Sequence, residues 1–419
     1  MLRVRNEEVW NQIRIILLGA AILFLINIFF GFDNAVTTGV LPRSQTLLHL
    51  HAGSIGWITL SQLAIAIWVF TGDREVSETY ARRIRTLAYL AIGIFTGYIL
   101  SFGIAYSQGG SFFVLMPIFG TGAMLLIWTA AIYAFTQLRR QVVVTTVHIL
   151  VAGGLLVAAV GATMGVLLGL ELAIGEQFLP IPADEDRVGV HAGMMDTYLI
   201  LVAAGIVEWF IQKDPQKRWT VPGLLQALFL TVAGLIVPLA FLTGLLEQLL
   251  PIFALLLLLG LIFFLVRTGR RALARNPMRG GVRAWGFFGT FWLVIYVGIF
   301  IFLAVTLPVD PTAIPLWLTA VFVHAGFVGM MTNIILGVDA ARTEDAAHVL
   351  SWGESTARWL INLGLLVFFV LKIATDTRLG AIVMGIGVLL GVVTMILRLR
   401  ASGQEAAPEA PFASSGGIT

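Results

Sequence analysis

The chain has no cysteine and very little charge. Across 419 residues there is not one Cys, and Asp, Glu, Lys and Arg together make up 12%. The first absence excludes disulfides, thiolate-bound zinc, iron–sulfur clusters and the covalent haem attachment that needs Cys-x-x-Cys-His. Metal chemistry must then rest on His, Asp, Glu, Met or Tyr. The second absence excludes an ordinary soluble domain, in which about a quarter of residues are charged. Histidine is scarce too, with six in the chain. What remains is apolar: 58% of residues are hydrophobic and the net charge is +3. A balance that slight, carried in short loops, gives no signal for nucleic acid.

Twelve apolar stretches are long enough to cross a hydrocarbon core, which takes about 20 residues. They lie near 10–31, 43–72, 83–106, 110–137, 143–173, 184–212, 219–244, 247–268, 283–307, 315–338, 355–375 and 378–399. The sequence therefore predicts an all-α polytopic membrane protein with a single transmembrane domain over 1–401. Residues 402–419, dominated by Ala, Gly, Ser, Pro and Glu, read as a disordered tail. The first apolar run follows Arg3 and Arg5 without a small-residue cleavage site, so it reads as a retained anchor. Basic residues gather after the second span (Arg74, Arg82, Arg83, Arg85), the fourth (Arg139, Arg140), the sixth (Lys213, Lys217, Arg218) and the eighth (Arg267, Arg270, Arg271, Arg275, Arg279, Arg283). Lys372 and Arg378 run against this trend. The positive-inside rule then puts both termini in the cytoplasm of a bacterial-type inner membrane.

His-Ala-Gly occurs three times, at His51, His191 and His324, and a proline stands nine residues before each histidine, at Pro42, Pro182 and Pro315. With Ala and Gly each at about one residue in ten, chance gives this tripeptide roughly once per hundred histidines, so the pattern means internal repetition. Each copy falls on the second span of a block of four: 10–137, 143–268 and 283–399. Three arcs of four helices with pseudo-threefold symmetry are expected. If the proline marks the helix start, nine residues put each histidine roughly 13 Å along the helix, inside the bilayer.

An intramembrane histidine is a functional candidate by default, against the alternative of a satisfied interhelical hydrogen bond. Three at one depth on separate helices suit a haem-iron or copper site. His49 lies about 200° round the helix from His51 and faces elsewhere. His148 and His348 read as structural or surface residues. Asp196, five residues after His191, is the acid expected to be neutral, paired or on a proton route. Glu171 and Glu208 read as solvated helix-end groups, and Asn333 as bonded to a neighbour. Met194, Met195, Met330 and Met331 read as core filler rather than soft copper ligands. Gly53, Gly193 and Gly326 either allow close helix contact or leave room beside the rings.

Twelve helices in three arcs, with histidines toward the outer ends of the second, sixth and tenth, resemble the catalytic subunit of the haem-copper oxidase superfamily, which includes cytochrome oxidases and nitric oxide reductases. The resemblance covers roughly 10–399 and rests on topology and histidine placement. It implies a low-spin haem, of b type, clamped by His51 and His324, with His191 at a copper-ligand place and His49 as a further candidate. It also implies electron transfer or handling of oxygen or nitric oxide, a cytochrome or quinol donor, partner subunits and surrounding lipid. The sequence departs from the pattern in three ways. The seventh span has no histidine, and His324 stands alone, with Phe322 and Gly326 at the two-residue positions. Met195 replaces the tyrosine that can follow the copper histidine, with Tyr198 three residues further on. The copper site is thus incomplete. A second branch, the NnrS-type proteins associated with nitric oxide stress, resembles the chain at Leu48-His49-Leu50-His51-Ala52 and at His324-Ala325-Gly326-Phe327-Val328-Gly329-Met330-Met331. From other classes come a transporter that uses intramembrane His and Asp and an assembly subunit whose histidines only bond helices.

Overall fold

The computed structural model describes residues 3–4, 7–36, 41–71, 76–141, 143–180, 186–211, 218–306, 316–374 and 378–402, with side chains throughout except at 3–4, 7–8, 186–196, 241, 316 and 372–374. The tail beyond 402 lies outside them. Backbone N–H and C=O groups in hydrocarbon must be satisfied within their own segment, so each apolar run folds as a helix. The long helices are α1 (Glu7–Val36), α2 (Arg43–Thr71), α3 (Glu78–Gln108), α4 (Leu115–Leu138), α5 (Thr146–Ile174) and α6 (Asp186–Ile211). They continue with α7 (Val221–Thr243), α8 (Leu246–Leu273), α9 (Gly281–Thr306), α10 (Trp317–Arg342), α11 (Ser351–Ala374) and α12 (Arg378–Ala401). Eleven are long and apolar enough to cross a membrane, and in α6 the described side chains form a shorter apolar helix, Thr197–Ile211. The protein is a multi-pass helical membrane protein.

The same pairings recur along the chain. The first helix of each block packs on the second, the third packs on the fourth, and α4, α8 and α12 pack on α5, α9 and α1 respectively. The contact of α12 with α1 brings the first and last helices together. Enclosure separates inner from outer helices: 94% of the most apolar window of α2 and 78% of that of α10 are buried, against 33–61% for the other spans. The side chains of 197–204 in α6 are buried without a break. Outer helices expose Phe29, Tyr89, Ile132 and Val266, as lipid-facing positions require. Small residues bring α11 and α12 into backbone contact, since a Cβ at Gly364 would strike the backbone of Met384, and one at Gly380 that of Phe368.

Two carboxylate expectations are corrected. Glu208 is not a solvated helix end. It is 2% exposed and forms a two-pronged ion pair with Arg267 (Nη2–Oε1 2.7 Å, Nη1–Oε2 3.1 Å). Arg267 also donates to Gln226 (2.6 Å) and Thr146 (3.2 Å), so one guanidinium ties α5, α6, α7 and α8. A π-helical turn at Leu265–Gly269 carries it. Glu171 is buried as well, and its Oε1 accepts the backbone N–H groups of Phe178 and Leu179 after the helix ends. A second lattice joins α9, α11 and α12: Glu354 accepts from Trp285 (3.0 Å) and Arg398 (2.8 Å) and pairs with Arg358. Near the start of the chain Arg3–Val4 pairs antiparallel with Val76–Ser77, a link that composition does not announce.

Candidate functional site

The three repeat-bearing helices meet one another. Tyr198 of α6 lies 2.7 Å from Thr59 of α2, and the two are 139 residues apart, against 140 between His51 and His191. Further down, Trp68 and Trp209 are in edge contact at 4.4 Å. On the other flank Trp57 of α2 donates to Thr332 of α10 (3.0 Å), 275 residues away, where the histidines are 273 apart. Contact register matches repeat spacing. α2, α6 and α10 therefore run parallel, with equivalent positions at one depth.

The histidines on α2 and α10 are held alike. His51 Nδ1 lies 2.8 Å from the carbonyl oxygen of Leu47, and His324 Nδ1 lies 2.7 Å from that of Ala320, each four residues back. A carbonyl oxygen only accepts, so in both rings Nδ1 carries the proton and Nε2 carries the lone pair. That is the state in which a neutral imidazole ligates a metal through Nε2, with its other nitrogen fixed by the backbone. The surroundings are aromatic: His51 stacks on Phe102 of α3 (3.6 Å, 16°) with Tyr98 edge-on at 6.1 Å, and His324 lies against Phe368 of α11 (4.9 Å).

His49 points elsewhere, as its position on the helix requires. Its Nδ1 donates across to the carbonyl of Asn27 on α1 (2.9 Å), while Asn27 Nδ2 donates to the carbonyl of His49 (2.5 Å). His148 has the opposite chemistry. Its Nδ1 accepts the backbone N–H of Thr145 (3.1 Å), and the Thr145 side chain accepts the N–H of His148, closing a capping box at the start of α5. His348 is exposed. The side chains of His191, Gly193, Met194, Met195 and Asp196 lie outside the described residues. Among those described, no three His, Asp or Glu side chains gather at one point.

Gly53 and Gly326 serve helix contact. A Cβ at Gly53 would meet Asn27 at 2.6 Å, and one at Gly326 would meet Tyr296 at 2.5 Å. Met330 and Met331 are fully buried, with Gln62 Nε2 at 4.0 Å from the Met331 sulfur. Asn333 pairs reciprocally with Asn362 (2.9 and 3.1 Å), which also accepts from Trp292 (2.7 Å). Pro42 caps α2, and Pro182 and Pro315 lie outside the described residues.

Directly after His51 and after His324, the helix widens into eight residues of π-helix, Ala52–Thr59 and Ala325–Thr332. These stretches read His-Ala-Gly-x-x-Gly-x-x-Thr in both helices, a longer repeat than the tripeptide. Thr59 donates its hydroxyl to the carbonyl of Ser54 (2.9 Å) and Thr332 to that of Phe327 (3.0 Å), five residues back. Threonines elsewhere in the bundle, such as Thr96, Thr121 and Thr290, reach back four. In α6 the corresponding positions are Asp196 and Leu199, and the segment is ordinary α-helix.

No family model matches this chain, and no curated protein matches it.

The donor set fits a haem iron. Two neutral imidazoles with the same tautomer stand on touching parallel helices at one depth, among aromatic side chains. Gly56, Gly329, Thr59 and Thr332 are the residues that reading the tripeptide alone misses. Extending the match between the α2 and α10 copies six positions beyond the tripeptide reveals them.

Proposed function

We propose that the protein is a haem-binding integral membrane protein built like the haem-copper oxidase catalytic subunit, with twelve spans in three arcs and both termini in the cytoplasm. His51 and His324 would hold the haem iron. A haem of b type bound there would supply one-electron transfer, or oxygen or nitric oxide binding if one histidine let go. The residues around it hold the two imidazoles as Nδ1–H tautomers against backbone carbonyls and exclude water with Phe102, Tyr98 and Phe368. His191 marks a copper place that the chain does not complete alone. The electrons come from a cytochrome or quinol donor and partner subunits. The observation that carries this reading is the matched pair of Nδ1 bonds, His51 to Leu47 and His324 to Ala320. His148, whose Nδ1 is an acceptor, shows that a buried histidine in this fold does not adopt that state by default.

The test is a visible spectrum of the full chain purified from haem-replete cells. A Soret band with reduced low-spin features is expected, lost in His324→Ala and kept in His148→Ala. A chain without the band, or a band kept in both variants, sinks the reading.

A further inference from the structure

We infer that Thr59 and Thr332 are positioning residues that fix the orientation of His51 and His324 by closing the π-helical turns that follow them. This rests on the haem reading above. The hydroxyl proton of Thr332 is committed to the carbonyl of Phe327, so its oxygen accepts the indole N–H of Trp57. The proton of Thr59 is likewise committed to Ser54, so Tyr198 donates its phenolic proton to Thr59. Each threonine thus ties a widened turn of its own helix to the neighbouring repeat helix. α6 holds the turn of α2, and α2 holds the turn of α10.

The consequence for the histidines is geometric. One extra residue in a helical turn offsets everything beyond it by roughly 100° relative to the residues before it. Each histidine stands at that junction, as the residue immediately before the π segment. The turn lets the imidazole face one direction while Trp57, Thr59, Met330 and Thr332, all buried beyond it, face the bundle core. If the hydroxyl is lost, the turn is free to rewind toward the α form, and the ring rotates with it. The Trp57–Thr332 bond also couples the two turns, so a change at α2 reaches His324. A chemically equal pair lies outside this hub: Trp128 donates to Thr163 (3.0 Å), which donates to Ala159 four residues back (2.9 Å). It supplies the control.

The experiment compares Thr332→Val, Thr332→Ser, Thr59→Val, Trp57→Phe and Thr163→Val in the full chain, reading haem affinity, the electron paramagnetic resonance of the low-spin iron, and thermal midpoint. Thr332→Val and Thr59→Val are expected to lose about 10-fold in haem affinity, as outer partners of metal ligands do, and to shift the low-spin signal. Thr332→Ser, which keeps the hydroxyl, restores the parent signal, and Thr163→Val leaves it unmoved. Should Thr332→Val not fold, Trp57→Phe carries the test, because it removes the donor and keeps a ring to stack on Phe24. A wild-type chain with haem whose signal is the same in all five variants overturns the inference alone. A wild-type chain without haem overturns the haem reading and this inference together.

Discussion

The copy of the repeat in α6 carries the same His-Ala-Gly as the copies in α2 and α10, yet the residues beyond the tripeptide differ. α2 and α10 continue with glycine at the fifth and threonine at the eighth position after the histidine and widen into π-helix; α6 continues with Asp196 and Leu199 and stays α-helical. The tripeptide therefore marks an internal repeat and no more. What the helix does next separates the copies: His51 and His324 each precede a π-helical segment and His191 does not.

The largest expected effect breaks this comparison most directly. His51→Ala and His324→Ala should each abolish the Soret band, while His191→Ala should keep it, with haem quantified per protein after purification. Equal loss in all three would mean that the π turns do not distinguish the copies. Loss in His191→Ala alone would invert the assignment.

Much of this contrast is open to a reader of the sequence, and some is not. The helices are legible because apolar runs in a membrane have one backbone solution, and the depth of the histidines comes from a proline spacing that holds for α2. The π segments are not legible, because a five-residue hydrogen-bond reach differs from a four-residue one only by what the neighbours supply, here Tyr198 and Trp57. Gly56 and Thr59 stand in plain view but are common residue types in membrane helices. Glu208 and Glu171 mislead for a different reason. A carboxylate near a helix end looks solvated until its partner is known, and Arg267 lies 59 residues away. Asp196 and His191 are unusual in type for a membrane span, and their side chains lie outside the described residues.

The distal half of α6 offers the next contrast. There the helix is anchored by Glu208 and Arg267, whereas α2 at the same depth has Trp68 packed on Trp209. Glu208→Gln leaves the partly buried guanidinium without its counter-charge and should cost about 3–5 kcal/mol of stability, read as a fall in thermal or denaturant midpoint. The haem spectrum should not move. A spectral change without a stability change would show that α6 takes part in the ligand geometry after all.

Glycine substitution sharpens the comparison at intermediate size. A Cβ at Gly329 would lie 2.5 Å from the Trp292 ring and 2.8 Å from Leu365, and one at Gly56 would lie 2.8 Å from Leu23 Cβ. Overpacking of that kind costs about 1–3 kcal/mol, so Gly329→Ala and Gly56→Ala should lower the midpoint and perturb the low-spin signal. Gly93 on α3 has nothing within 4 Å of its Cβ position. Gly93→Ala should instead stabilise by about 0.5–1 kcal/mol through helix propensity. If all three behave alike, the tightness around the π turns has no bearing on the site.

The smallest effect separates a ligand histidine from a capping one. His148 is fully enclosed, more so than the half-buried rings of His51 and His324, so burial alone would make it the better candidate. Its Nδ1 nevertheless accepts the Thr145 N–H, which requires the lone pair on the nitrogen that His51 and His324, the proposed ligands, keep protonated. His148→Ala removes half of a capping box and should cost about 1 kcal/mol. His148→Asn, which retains an acceptor near the same place, should recover part of that loss. Tautomer sets the capping histidine apart from His51 and His324, although His49, whose Nδ1 donates to Asn27, shares their state. Isotope-edited nuclear magnetic resonance of the ring nitrogens in the haem-free chain reads it directly, with protonated Nδ1 expected at His51 and His324 and protonated Nε2 at His148.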